Sequence, residues 1–304
     1  MEKYICAKNN NNNNLLFKFS TIGYALNSNL MFTNRINDMI IGLELVNELK
    51  MGDSIFISIT ETTTSIYELI NIIKHKNIKV YFYLLQEPIV SYDIVELLLP
   101  YTLGLFIQNN IYVNPLIHIM PIGIRDCEKV FPGHKGFSHD YLYREGLNQR
   151  DKDILCLLCF SYSHNERYRC YNELHNKPFV VNLNDNEYEK QPSIHCGKVP
   201  VWINYEYTHK SDYVLCPRGC GEDTHRFYEA IYLDSIPIVK RTNTPFDNLY
   251  KIFPCMIVDD WCDINEGFLL QHRTQYKNKI KEFKFKYPNA FTDINSIYEM
   301  ILQT

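Results

Sequence analysis

From Ser54 onward, short apolar runs of strand length alternate with segments whose apolar residues recur at helical spacing. That alternation restricts the chain more than any other feature. Ser54 to Ile59, Lys79 to Leu85 and Leu103 to Gln108 read as strands, with helices over Ile36 to Leu49, Ser65 to His75 and Ile94 to Leu99. A chain of this rhythm builds parallel sheets covered by helices, an α/β fold. A stretch rich in Gly, His, Pro and charge then runs from Asp126 to Asp153, and the rhythm restarts beyond it. Strands follow at Ile154 to Phe160, Phe179 to Leu183, Asp212 to Cys216, Ile236 to Val239 and Cys255 to Val258. Helices are expected at Glu166 to Leu174, Val201 to His209, Thr224 to Leu233, Gly267 to Lys284 and Ile294 to Leu302. The pattern predicts two doubly wound, Rossmann-like domains facing a cleft, residues 1–150 and 151–304.

Charge and composition narrow the function. Thirty-one Lys plus Arg against 35 Asp plus Glu leave a net charge of -4, which gives no chain-wide attraction for nucleic acid. The apolar runs fall short of the roughly 20 residues that a membrane span requires. The start MEKYICAKNNNNNN lacks the pattern of a signal peptide, so the 10 cysteines read as reduced thiols in a cytoplasmic protein. Thirty Asn, six of them at Asn9 to Asn14, point to an AT-rich genome, such as that of a virus or protist, and to a solvated loop at the run itself.

The most informative stretch runs Tyr213-Val-Leu-Cys-Pro-Arg-Gly-Cys-Gly-Glu-Asp-Thr-His-Arg-Phe-Tyr-Glu-Ala230. A strand leads through a Pro-Gly-Gly turn directly into an amphipathic helix, whose free N–H groups and positive dipole end suit an anion. Gly219 and Gly221 permit close approach of backbone to a ligand, while Arg218 and Arg226 add charge. With Asp223 as N-cap, Arg226 and Glu229 lie three apart on one face, the first suited to a diphosphate and the second to a ribose diol. The plainer alternative is a turn, a cap and a surface ion pair. Thr224 and His225 share the helix start and join the candidate binding residues. So do Lys240, at the end of a strand, and His164 and Arg167 in the loop after Phe160, where Ser163 is a candidate cap.

The run from Tyr213 to Lys240, with Pro254-Cys-Met-Ile-Val-Asp-Asp-Trp261, resembles the nucleotide-sugar domain of exostosin-like and related GT-B glycosyltransferases. Ile119-Met-Pro-Ile-Gly-Ile124 and the polar loop after the strand at Ile154 are similar to that group as well. The resemblance implies a GT-B-like fold, a nucleotide-sugar donor held by Arg226 and Glu229, a glycan or glycoprotein acceptor, and no metal or other cofactor. Cys220 departs from the polar residue, often Asn, that many relatives carry there. An inverting enzyme needs a base from the first domain, and Glu87 and Glu61, each just beyond a strand, are the catalytic candidates. Cys156 and Cys159 have zinc-like spacing, but within a strand they point to opposite faces and read as core thiols. The competing reading is a nucleotide- or glycan-binding module that keeps the donor helix without catalysis.

Overall fold

The computed structural model describes residues 5–7, 28–33, 43–58, 64–85, 90–124, 152–185, 199, 201–291 and 300. The chain divides into two compact units, residues 1–122 with 292–304, and residues 123–291. The division falls at 122/123 and not near residue 150. Composition marks where a chain turns polar, whereas contacts mark where it changes neighbours, and the Gly123 carbonyl already accepts a 2.8 Å hydrogen bond from His225 of the second unit.

In the first unit, β1 (Ile5–Ala7), β2 (Leu30–Thr33), β3 (Ser54–Ser58), β4 (Val80–Leu85), β5 (Thr102–Ile107) and β6 (Ile117–Ile119) lie side by side in chain order. All neighbours are parallel except β1 and β2. Alternate residues of the central strands, Ile55, Ile57, Phe82, Leu84, Leu105 and Ile107, share one face. They pack with Ile66, Leu69, Ile70 and Ile73 of α1 (Thr64–Lys76) and with Ile94, Val95 and Leu98 of α2 (Tyr92–Leu98). Intervening residues form an aromatic array on the same strands, Tyr83 stacking on Phe106 at 4.9 Å. Helix α1 ends at Asn77, which takes the left-handed conformation (φ 52°) that Asn tolerates better than most residues.

The helix expected over Ile36 to Leu49 is instead a 3₁₀ helix over Leu43–Glu48, the part that falls within the described residues. Val46 and Leu49 are buried three apart, the spacing that a 3₁₀ turn aligns along one edge. The helix expected at Ile294 to Leu302 lies outside the described residues apart from Met300.

The second unit contains β7 (Ile154–Leu158), β8 (Val180–Asn182), β9 (Ser211–Leu215), β10 (Ile236–Lys240) and β11 (Met256–Val258), in the order β8-β7-β9-β10-β11. Every pairing is parallel. Helices α3 (Asn165–Leu174), α4 (Val201–Lys210), α5 (His225–Tyr232), α6 (Phe246–Ile252) and α7 (Glu266–Lys286) follow β7, β8, β9, β10 and β11 respectively. The reversal that makes a sheet doubly wound is here: the chain leaves β7 toward β8 and continues from β9 in the opposite direction. Loops at the carboxyl ends of β7 and β9 therefore lead to opposite sides of the sheet, the place where doubly wound sheets bind ligands. Long α7 is tied across this sheet where Tyr213 Oη donates to the Leu269 carbonyl at 2.8 Å and Arg273 and Lys277 meet the buried Asp212 at 2.6 and 2.7 Å.

Among the described residues, no helix is long and apolar enough to cross a membrane. Cys156, Cys159, Cys170, Cys216 and Cys255 are buried thiols, and Cys156 belongs to the core of the second unit.

Candidate functional site

The loops at the two carboxyl strand ends of this switch point are Phe160 to His164 and Cys216 to Thr224. Strand β9 is buried throughout, which fixes where the second loop starts. Cys216 still belongs to the sheet through its N–H, donated to the Ile238 carbonyl at 2.9 Å, and the chain then turns at Pro217. Gly219 N–H donates forward to the Gly221 carbonyl at 3.2 Å and closes the turn.

Arg167, the third residue of α3, stitches the two loops together. Its Nη1 donates to the carbonyl and hydroxyl of Ser161 at 3.0 and 2.8 Å, and its Nε donates to the Arg218 carbonyl at 3.2 Å. A Cβ at Gly219 would lie 2.7 Å from Arg167 Nη2, so the glycine serves close packing of this guanidinium. Gly219→Ala is expected to push Arg167 off its Ser161 partners, weakening anion binding severalfold while the fold survives, since only a side-chain tip must yield. Titrating wild type and variant with inorganic pyrophosphate checks this, and an unchanged affinity would show that the Arg167 position is immaterial.

Cap assignments differ from expectation by one residue at both helices. His164, not Ser163, is the N-cap of α3, its Nδ1 accepting from Glu166 N–H at 3.1 Å. Burial, with the Arg218 and Arg167 charges, pushes the imidazole below its ordinary pKa, which suits an accepting Nδ1. Thr224, not Asp223, is the N-cap of α5. Asp223 is buried, and its two oxygens are taken by Thr224 N–H at 2.8 Å and Tyr228 Oη at 2.7 Å, so the carboxylate braces the turn and first helical residues. His225 opens the helix and its Nδ1 donates to Gly123, placing this ring in a backbone tie.

Arg226 and Glu229 are 8% and 3% exposed, which excludes the surface ion pair. Neither is paired with the other. Among the described residues the Arg226 guanidinium makes no hydrogen bond or ion pair, and its Nε is fully enclosed. Glu229 Oε1 accepts from Tyr205 Oη at 2.6 Å. Arg218 pairs through Nη1 with Glu222, leaving Arg218 Nε and Glu222 Oε2 buried without partners among the described residues. Burial raises the Glu222 carboxyl above its ordinary range despite the opposing Arg218 charge. The turn and helix start thus gather buried polar atoms without partners, although folded proteins satisfy nearly all such atoms.

Lys240 departs from its expected role. Its Nζ lies 3.0 Å from Asp260 Oδ2 and 3.3 Å from Glu166 Oε1, an oxygen that also accepts from Trp261 Nε1 at 2.7 Å. Burial works against the ammonium, but Asp260 and Glu166 together hold its pKa above the ordinary value. The strand end is committed to fastening the 3₁₀ turn Trp261–Asp263 onto α3. Glu87 and Glu61 both lie outside the described residues. Sequence reasoning does not single out Glu222 or Tyr205. Glu222 stands inside the informative stretch, and only its burial marks it, whereas Tyr205 lies on another helix and carries no local signal.

No protein-family model matches the chain, and no curated protein matches it. Among solved structures, the chain is similar to an E. coli trehalose-6-phosphate structure bound with UDP-2-fluoro glucose. The two share 12% identity over 86% of this chain and 74% of that one, with a TM-score of 0.44. It is also similar to the α,α-trehalose 6-phosphate synthase of Burkholderia multivorans, at 12% identity over 85% of this chain and 73% of that one, with a TM-score of 0.40.

Proposed function

We propose that the chain is a nucleotide-sugar-dependent glycosyltransferase of the exostosin-like kind, acting on a glycan or glycoprotein hydroxyl, with its donor held at the β7/β9 switch point. A cytoplasmic setting and independence of metal belong to the same reading. The observation that carries it is Arg226: a guanidinium buried at a helix start with no protein partner among the described residues is a charge awaiting an anion.

The chemistry follows from that placement. In the reaction, the bond from the sugar's anomeric carbon to the diphosphate oxygen breaks while the acceptor oxygen bonds to that carbon, and the acceptor proton passes to a base. Negative charge accumulates on the departing diphosphate. Arg226, Arg218 and the N–H groups opening α5 are fixed before reaction begins, so they stabilise this charge without reorganising, an effect of order 3 kcal/mol per donor group in other enzymes. Glu229 accepts from the ribose, and Glu87 or Glu61 takes the proton.

Melting curves with UDP, GDP, TDP, CMP and their common sugars test the reading. One nucleotide family is expected to stabilise the protein, by about 2.7 kcal/mol at a hundred times its dissociation constant. Absence of any shift across the series would overturn the donor site. Sugar transfer from the stabilising donor to a hydroxyl acceptor is then the expected activity, and donor binding with no turnover on an acceptor panel would identify a binding module instead.

A further inference from the structure

Glu229 is buried to 3% exposure, and among the described residues no cation pairs with it and the Tyr205 hydroxyl is the sole hydrogen-bond partner of its carboxylate. Tyr205 itself is 1% exposed, projecting from α4, and its Oη donates across 2.6 Å to Oε1. A phenol has one hydrogen, so this contact leaves Tyr205 nothing to donate to a ligand. It fixes the carboxyl plane, committing Oε1 and leaving Oε2 as the open acceptor. Oε2 has no protein partner among the described residues and is not fully enclosed, so a ligand hydroxyl can reach it.

We propose that Tyr205 is a positioning residue that presents Glu229 Oε2 to a ribose diol, and thereby sets a preference for ribonucleotides over 2′-deoxyribonucleotides; this rests on the nucleotide reading above. A freely rotating carboxylate spreads its acceptors over several directions, and the diol gains little. Held by Tyr205, it meets the 2′-hydroxyl with one oxygen already aimed. Inorganic pyrophosphate, which has no ribose, is indifferent to this arrangement.

Calorimetric titration of wild type, Tyr205→Phe, Glu229→Gln and the double variant with UDP, dUDP, GDP, dGDP and inorganic pyrophosphate tests it. Wild type is expected to prefer the ribonucleotide about tenfold, as one hydrogen bond to a charged acceptor allows, and Y205F to lose most of that preference with pyrophosphate affinity unchanged. In E229Q the amide oxygen turns to Tyr205 and the amide nitrogen donates to the diol, so the charged acceptor is lost and the preference falls to the few-fold of a neutral hydrogen bond. In the double variant the amide is free to flip, and part of the preference returns.

Failure separates cleanly. A wild type that binds none of the nucleotides removes the donor-site reading and this inference with it. Nucleotide binding with an undiminished ribose preference in Y205F overturns the role of Tyr205 alone. Should Y205F unfold, Tyr205→Met takes its place: an undiminished ribose preference overturns the role of Tyr205, and a lost preference with pyrophosphate affinity kept supports it.

Discussion

Replacing Arg226 with methionine is expected to raise the melting temperature of the ligand-free protein and at the same time cut its stabilisation by nucleoside diphosphates to about a third. The guanidinium is 8% exposed and makes no hydrogen bond or ion pair among the described residues, and its Nε is fully enclosed, so folding strips part of its water and gives no protein partner in exchange. Methionine keeps the length and packing of the chain without the charge. Replacing buried ion pairs with well-packed apolar side chains is neutral to stabilising by roughly 1 to 4 kcal/mol in other proteins, and the lower end of that gain gives a rise of about 2 °C here. Binding moves the other way: loss of a charge-assisted contact of about 2 kcal/mol weakens affinity some 30-fold. Melting curves with and without the stabilising nucleotide read both effects in one experiment. An Arg226→Met variant that melts several degrees early would assign Arg226 to structure and remove the main support for the donor site.

Parts of this site are legible in sequence because they are local. The continuous apolar run of β9, the Pro-Gly-Gly turn and the helix start follow one another without a gap, and each is dictated by neighbours a few residues away. The identity of the cap, Thr224 in place of Asp223, is a one-residue question that dihedral angles settle and spacing does not. Burial of Arg226 and Glu229 is a different matter. Helix α5 is enclosed on nearly every side, since Arg226 through Ile231 are all buried, and a polar-looking face gives no warning of this. Lys240 looks free at its strand end, yet Glu166, on a distant helix, and Asp260 close on it. Strands β1, β2 and β6 are short and owe their state to pairing with neighbours, so no periodicity announces them. Gly219 reads in sequence as room for a ligand, and the space proves to be filled by Arg167.

Lys152→Met is expected to produce the largest loss of stability, about 3 kcal/mol and some 6 °C, without direct effect on the switch point. Lys152 precedes β7, and its Nζ donates to the carbonyls of His209 and Ser211 at 2.7 and 2.8 Å, to Ser235 Oγ at 2.9 Å and to the Leu233 carbonyl at 3.4 Å. Ser235 Oγ in turn donates to the Thr208 carbonyl at 2.5 Å. One ammonium therefore ties together the amino ends of β7, β9 and β10, and a methionine would leave those acceptors buried and unmet. The pH dependence carries a signature. Burial pushes the Lys152 pKa down to about 8, resisted by Asp234 and Asp212 and reinforced by Lys277 and Lys284. The unfolded value is about 10.4. Below pH 8 both states hold the proton and this group adds no slope. Between about 8 and 10.4 the unfolded chain binds the proton and the folded one has released it, so stability from this group rises with pH, by at most about 1.4 kcal/mol per unit. The buried thiols of Cys156, Cys170 and Cys255, raised by burial, act in the same pH range, but they are present in both proteins and cancel in the difference. Denaturant melts of wild type and K152M from pH 7 to 10 are thus expected to diverge as pH rises above 8. Equal stabilities, or a gap that stays flat across that range, would show that Lys152 does not hold the strand ends together.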